Sequence, residues 1–295
     1  MRRLLALILA AAGVLPVRAD IAVRDDSGAE VRLRQPARRI VSLAPHITEI
    51  LFAAGAGERV VGTVDYSDYP EAAKRIARIG NYTNPDLEVI LALKPDLVIA
   101  WQSGNSMDQM ENLKRLGIPL FLSQPDRLED VAQNLEQFGQ LAGTALVAAP
   151  AAAAFRARLA GLRQRYSARP QVSTFYQIWP EPLMTVGAGQ IIGSAIRLCG
   201  GRNIFGQLRQ LAPTVSVEAV LAADPEVIVA SGMGALRPDW LDNWRRWPQL
   251  IATARGNLFF IPPDLIQRHT PRLLEGAEQL CRDLETARQR RPDAH

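Results

Sequence analysis

The 295-residue chain is predicted to be an α/β protein with two similar Rossmann-like lobes. Each lobe is built on a mostly parallel sheet, and one long connecting α-helix joins them. A helix–turn–strand segment occurs twice, at residues 87–100 and 217–230, an offset of 130 positions (217 minus 87). Around both copies, apolar strands and helices alternate, as is typical of parallel sheets covered by helices. Two similar lobes suggest a cleft between them, and therefore a ligand.

The N-terminus predicts export. Two arginines precede an apolar stretch from Leu4 to Val17, and a small residue, Ala19, follows. This pattern indicates a secretory signal peptide, because the stretch is shorter than the roughly 20 residues that span a membrane. Removing its three arginines from the 34 basic residues leaves 31 against 30 acidic ones, a net charge of +1. We expect a soluble, exported monomer with no general attraction to nucleic acid.

The order of the elements divides the chain into six parts. They are a signal peptide at 1–19, an N-terminal hairpin extension at 20–37, an N-terminal lobe at 38–143, a connecting helix at 144–168, a C-terminal lobe at 171–288 and a tail at 289–295.

In the first part of the mature chain, alternation around a turn predicts the hairpin, and apolar runs predict buried strands. Besides the repeat, strands are expected at 39–43, 60–64 and 119–122, and helices at 48–54, 106–116 and 128–141.

The Ala-rich run 145–168 is too long for an ordinary crossover and is expected to be the connector. After it, strands are predicted at 172–177 and 258–261, and helices at 191–198, 239–247 and 271–288.

Aromatic residues follow several predicted strands. Trp101 ends the strand of the first repeat, Tyr66 and Tyr82 lie in loops of the same lobe, and Trp179 follows a strand of the second lobe. Ligands of open α/β sheets bind outside the carboxyl ends of the strands. These aromatics therefore suggest a large flat ligand, although some of them could simply cover the core.

Glu88 and Glu218 hold the same place in the two repeats, each in the first turn of a predicted helix. An acid there complements the helix dipole, which is the simpler interpretation. The alternative is a matched pair of acids that docks on a partner with two matching basic sites.

Two cysteines, Cys199 and Cys281, remain in the mature chain. An even count in an exported protein favours a disulfide over a reactive thiolate.

The sequence offers little to suggest an enzyme. The run Gly187-Ala-Gly189-Gln-Ile-Ile-Gly193 imitates a dinucleotide fingerprint, but its last spacing is one residue too long. A periplasmic oxidoreductase is the remote alternative. We find no cluster of metal ligands and predict no catalytic residue, catalytic cofactor or metal.

The chain resembles the helical-backbone periplasmic binding proteins of ABC importers, and within them the cobalamin-binding branch. The resemblance spans about residues 38–285. It is carried by Arg39-Ile-Val-Ser-Leu-Ala-Pro-His-Ile-Thr-Glu49, Tyr66-Ser-Asp-Tyr-Pro70, Leu93-Lys-Pro-Asp-Leu-Val-Ile-Ala-Trp101 with Gly104-Asn105, Leu198-Cys-Gly-Gly201 with Asn203-Ile-Phe205, and Pro271-Arg272 with Gln279-Leu-Cys281.

The resemblance implies that cobalamin or a related corrinoid lies between the lobes as a transported ligand. It would be touched by Tyr66, Trp101 and Arg268. The resemblance also implies that Glu88 and Glu218 dock on an inner-membrane permease dimer, which works with cytoplasmic ATPases. It places the family's disulfide at Cys199 and Cys281.

This chain departs from the family's pattern at three positions of the cleft. Tyr82 and Ala212 stand where the family has tryptophans, and Ile178 stands at a phenylalanine position, with Trp179 beside it as a possible substitute. Haem and ferric siderophores are therefore alternative ligands, and Tyr82 would be an iron ligand only if the ligand is haem.

Overall fold

The computed structural model describes residues 20–232 and 234–292. The predicted signal peptide and the end of the tail lie outside the described residues. The order of elements is β1 (Ile21–Arg24), β2 (Glu30–Leu33), β3 (Ile40–Ser42), α1 (Pro45–Ala53), β4 (Val60–Thr63), α2 (Leu87–Ala92), β5 (Leu97–Trp101), α3 (Met107–Arg115), β6 (Leu120–Ser123), α4 (Leu128–Ala142), α5 (Ala145–Tyr166), β7 (Val172–Trp179), β8 (Met184–Thr185), α6 (Ile191–Leu198), β9 (Gly201–Asn203), α7 (Val217–Ala223), β10 (Val227–Ala230), α8 (Ile251–Ala254), β11 (Leu258–Phe260), α9 (Pro263–Ile266) and α10 (Leu273–Gln289).

The two sheets confirm the predicted fold class. The first lobe holds a parallel sheet of strand order β4-β3-β5-β6. The second lobe holds the order β11-β10-β7-β8, with β9 also paired to β7. Its strands are parallel except for the short β8, which runs antiparallel to β7. The central strands β5 and β10 are the strands of the two repeated segments, so the repeat occupies corresponding places in the two sheets.

The connector α5 packs through a stripe of residues spaced three or four apart, the period of a helix that buries one face. This stripe comprises Ala148, Ala152, Phe155, Leu159, Leu162 and Tyr166. At the crossing with α4, a Cβ on Gly139 would lie 2.2 Å from the Cβ of Ala148, so only glycine permits this approach. By length and composition α5 could span a membrane. Its buried stripe and its place between the lobes identify it instead as a structural helix of this fold.

Ion pairs fix the connector to its neighbours. Arg156 and Arg163 pair with glutamates of α4, and Arg158 pairs with Glu278 of α10. One apolar core is continuous from the inner face of the first sheet, past α5, to the inner face of the second. Two smaller clusters cover the opposite faces of the sheets. The lobes and the connector thus share the largest of these clusters.

Two predicted helices differ from the structure. The helix expected at 48–54 begins earlier, at Pro45, because proline is well suited to the first helical position. The segment expected to be helical at 239–247 is a 3₁₀ helix, Asp239–Arg246. It is short and rich in Asp and Asn, which are weak helix formers, so side-chain packing determines its conformation. Its three tryptophans, Trp240, Trp244 and Trp247, pack against the second sheet.

Candidate functional site

Three rings from both lobes meet at the carboxyl ends of the strands. Trp101 ends β5, His46 lies in the first turn of α1, and His269 lies between α9 and α10 in the second lobe. The ring centroids are 5.3 Å apart for His46 and Trp101, 5.1 Å for His46 and His269, and 6.0 Å for Trp101 and His269. We call these three residues the floor cluster. Trp101 and His269 line the cleft between the lobes, and His46 packs against both of their rings.

The Gly104-Asn105 turn positions Trp101. The Asn105 side chain accepts a hydrogen bond from the Trp101 backbone N–H at 2.5 Å. It donates to the carbonyl oxygens of Leu43 and Tyr82 at 2.9 and 2.6 Å. A Cβ on Gly104 would lie 1.9 Å from the indole ring, so a glycine is required there. One amide therefore joins three loops of the first lobe and orients the tryptophan.

Tyr82 is the second predicted aromatic that lies at the floor cluster. Its ring centroid is 5.9 Å from that of Trp101, and the side chain is 37% exposed. The ring is therefore accessible to a ligand that contacts the indole.

The cleft has a volume of about 240 Å³ and receives residues from both lobes. Trp101 and Gln124 line it from the first lobe, and Ile178, Ala212 and His269 line it from the second. Ile178 and Ala212 form an apolar wall of the cleft. Both side chains are aliphatic, and they stand where the family's pattern has larger aromatic rings. The space left by them is available to a ligand.

Tyr66 and Trp179 do not contact the rings of the floor cluster. Tyr66 is 72% exposed in a left-handed backbone conformation, with φ of 63°. Trp179 donates from its indole nitrogen to the carbonyl oxygen of Glu181 at 3.0 Å. Neither residue lines the cleft, whereas Ile178, next to Trp179, does. Their predicted ligand contacts stay predictions.

Arg268 is engaged by acids from both lobes. It pairs with Asp68 of the first lobe at 2.7 Å and with Asp264 of its own lobe at 3.0 Å. Partial burial opposes ionisation of Asp68, but the hydrogen bond and charge of Arg268 hold the pKa of Asp68 below its ordinary value. A ligand that uses Arg268 would therefore compete with Asp68.

The imidazoles of the floor cluster are held neutral. Burial lowers the pKa of His46 well below its ordinary value, and repulsion of a second positive charge by Arg268, and by His269 when it is protonated, lowers it further. Burial also lowers the pKa of His269 to about 4. Neither histidine is predicted as a site residue from the sequence, because the histidines form no cluster of metal ligands. The sequence does hold one signal for both: His46 falls within the first stretch of the family resemblance, and His269 lies two residues before the last stretch.

Glu88 and Glu218 occupy equivalent, exposed positions at the N-termini of α2 and α7. Asp86 caps the first helix by accepting from two backbone N–H groups, and Ser216 caps the second. Hydrogen bonds from its own backbone N–H and from Ser216 lower the pKa of Glu218. Both glutamates are thus accessible to solvent at helix N-termini. This position is compatible with a role in stabilising the helix dipole and with a role in docking.

The remaining motifs are structural. Cys199 and Cys281 form the predicted disulfide, which ties the end of α6 to α10. The Gly187 loop is closed against residues 208–211, because the N–H groups of Gly187 and Ala188 already bond to backbone oxygens there. These groups are not free to bind a phosphate. Within residues 20–232 and 234–292, no group of three His, Cys, Asp or Glu side chains could hold a metal.

Two lobes on mostly parallel sheets, a long helical connector and a cleft lined from both sides define a two-lobed ligand-binding protein. A sequence profile of the periplasmic binding protein family matches residues 40–265. The chain therefore belongs to the periplasmic binding protein family.

Individual relatives narrow the resemblance. The chain is 40% identical to the vitamin B12-binding protein of Vibrio campbellii over 257 residues, which are 87% of this chain and 92% of that protein. The crystal structure of the periplasmic vitamin B12-binding protein of Vibrio cholerae matches with a TM-score of 0.80 at 37% identity, covering 86% of this chain and 99% of that one. A periplasmic heme-binding protein of Roseiflexus matches with a TM-score of 0.72 at 25% identity, covering 85% and 99%. All three are binding proteins.

Proposed function

We propose that this protein captures cobalamin or a related corrinoid in the periplasm and delivers it to an ABC transporter permease. The observation that carries the proposal is the cleft between the lobes, walled by Trp101, Ile178 and Ala212, in a chain 40% identical to a vitamin B12-binding protein. A flat tetrapyrrole contacts apolar and aromatic walls over a large area, and such contact stabilises binding.

The role is binding and not catalysis. The N–H groups of Gly187 and Ala188 are already bonded to backbone oxygens and do not face a cofactor phosphate, and the relatives are binding proteins. The ligand is carried as cargo, and the partner is the permease dimer with its ATPases. Glu88 and Glu218 are the two residues of this protein that dock on that partner.

Haem is the second candidate, and Tyr82 is the observation that favours it. Its accessible phenol lies beside Trp101, and a tyrosine oxygen is a known kind of haem ligand. The fold is also shared with a heme-binding protein. The larger identity with vitamin B12-binding proteins places haem second.

The experiment is a titration of the mature protein, residues 20–295, with cobalamin, cobinamide and haemin, followed by calorimetry and tryptophan fluorescence. We expect saturable, one-to-one binding of the corrinoids with quenching of the tryptophan emission, and weaker binding of haemin. Tight binding of haemin together with no binding of either corrinoid would replace the proposal with the haem alternative.

A further inference from the structure

The floor cluster contains polar atoms without partners. Nε2 of His46, Nε1 of Trp101 and Nδ1 of His269 are buried and form no hydrogen bond with any residue of the described part of the chain. The two histidine side chains are more than nine-tenths buried, at 5% and 6% exposure. Burying a polar group without a partner costs free energy, so native structures rarely keep one without a functional or solvent partner. Three such nitrogens within one cluster indicate a site that a polar ligand group completes.

The chemistry of this site is that of neutral donors and acceptors. A neutral imidazole has one N–H donor and one acceptor nitrogen, and the indole adds a further donor. Burial keeps both imidazoles uncharged at neutral pH. The neighbouring guanidinium groups are already paired, Arg268 with Asp68 and Asp264 and Arg272 with Glu49. The floor therefore offers hydrogen bonds without an unpaired cation among the described residues around it.

The size of the cleft decides which part of a tetrapyrrole reaches the floor. Its volume of about 240 Å³ is below the roughly 300–1,000 Å³ of pockets that enclose a whole small ligand. Only the edge of a large flat ring would therefore enter the cleft. The centre of the ring would lie between the lobes, outside the floor cluster. The floor then meets the substituents at the periphery of the ring and not the metal at its centre.

We propose that His46 and His269 recognise uncharged amide groups on the edge of the tetrapyrrole and thereby reject rings that carry carboxylates at that edge. This inference rests on the proposed function and names the determinant of its specificity. A primary amide has N–H donors and a carbonyl acceptor, which match a neutral imidazole pair in both directions. A carboxylate has acceptors alone and carries a charge that is costly to bury without a cation. Corrinoids carry amides around the ring, whereas haem carries propionate groups.

The test compares two corrinoids that differ in this feature, cobinamide and cobyrinic acid, in which carboxylates replace the amides. Dissociation constants would be measured by calorimetry for the wild-type protein and for His46→Phe, His269→Phe and His269→Gln. We expect the wild type to bind cobinamide at least ten-fold more tightly than cobyrinic acid. Either phenylalanine variant should lose most of this preference by weakening the amide ligand. His269→Gln, which keeps a donor and an acceptor, should retain part of it.

Trp240→Phe is the matched control, because Trp240 packs in the second lobe outside the cleft. This variant should prefer cobinamide over cobyrinic acid as strongly as the wild type does. Circular dichroism and urea unfolding test whether each variant is folded. If a phenylalanine variant is not folded, the comparison of wild type with His269→Gln still tests the inference. Equal affinity of the wild type for the two corrinoids, or full preference in every histidine variant, would overturn the inference and leave the proposed function standing. Failure of cobalamin and both corrinoids to bind the wild type would overturn the proposed function and the inference with it.

Discussion

Glu49 and Arg272 form a two-point ion pair that joins the lobes. Nε and Nη2 of Arg272 donate to the two carboxylate oxygens of Glu49, both at 2.7 Å, across 223 positions of sequence. The Glu49 side chain is 3% exposed, and the ring of Tyr69 covers the guanidinium at 3.8 Å. A buried pair of this geometry orients the two lobes relative to each other beside the floor cluster.

Removing one partner of this pair should destabilise the protein. Glu49→Ala leaves a largely buried guanidinium without its counter-charge, and we expect the free energy of unfolding in urea to fall by about 3 kcal/mol. The double variant Glu49→Leu with Arg272→Met should regain most of this loss, since a well-packed apolar pair avoids the unpaired charge. Glu111→Ala, which removes an exposed pair with Lys114, is the control and should cause no measurable change. A single variant as stable as the wild type would contradict the role of the pair.

The lobes should move little when the ligand binds. Bending α5 would break backbone hydrogen bonds, and the core is continuous from one lobe through α5 to the other. Small-angle scattering of the free and corrinoid-bound protein should therefore give nearly superimposable curves. A change as large as that of a hinge closure would contradict a rigid connector.

Trp101→Ala should weaken corrinoid binding at least ten-fold. Burial of the indole against a flat ligand is worth roughly 1–3 kcal/mol, and about 1.4 kcal/mol corresponds to a factor of ten. Calorimetry provides the dissociation constant. Trp240→Ala, in the second lobe away from the cleft, should alter stability without altering affinity. An unchanged affinity in Trp101→Ala would remove this residue from the site.

Reversing both docking glutamates, Glu88→Arg with Glu218→Arg, should leave corrinoid affinity intact and abolish uptake into vesicles that contain the permease and its ATPases. Two matched anions on one rigid body engage two copies of a basic site at once, so the second contact forms at high effective concentration. The control reverses one exposed acid per lobe elsewhere, Glu111→Arg with Glu275→Arg, and should transport normally. Uptake at the normal rate by the first variant would leave the glutamates with a helix-capping role only.

His269 should make stability depend on pH below neutrality. Its pKa in the folded protein, about 4, lies below the value of about 6.5 in an unfolded chain, so the unfolded state binds the proton more readily. The stabilisation is complete above pH 6.5 and is lost as the pH falls toward 4, by about 2 kcal/mol at pH 5. Asp283, whose pKa burial raises to about 7, acts in the opposite direction.

The comparison of wild type with His269→Asn isolates this contribution. Urea unfolding at pH 7.5 and 5.0 should show a smaller loss of stability in the variant, because the asparagine does not titrate. The same loss in both proteins would show that His269 does not remain neutral in the folded state.

The sequence by itself determined the class of fold, because that class follows from short-range patterns. The repeated segments 87–100 and 217–230 became the central strands of two sheets, and the Ala-rich run became α5. Apolar periodicity and turn residues act within a few positions, so they can be read from the chain directly. The disulfide could be predicted in the same way, from two cysteines in a chain expected to be exported. In the structure these two cysteines, Cys199 and Cys281, are bonded to each other.

Only the tertiary structure decided how the cleft is closed at its base. His46 meets His269, Asp68 meets Arg268, and Glu49 meets Arg272, in pairs separated by 200 positions or more. No local pattern encodes such a pair, because each contact depends on the packing of both lobes against α5. The neutrality of the histidines is likewise a consequence of burial, which a sequence does not display. Trp101 could be predicted from its place at a strand end, whereas its two histidine neighbours required the juxtaposition of the lobes.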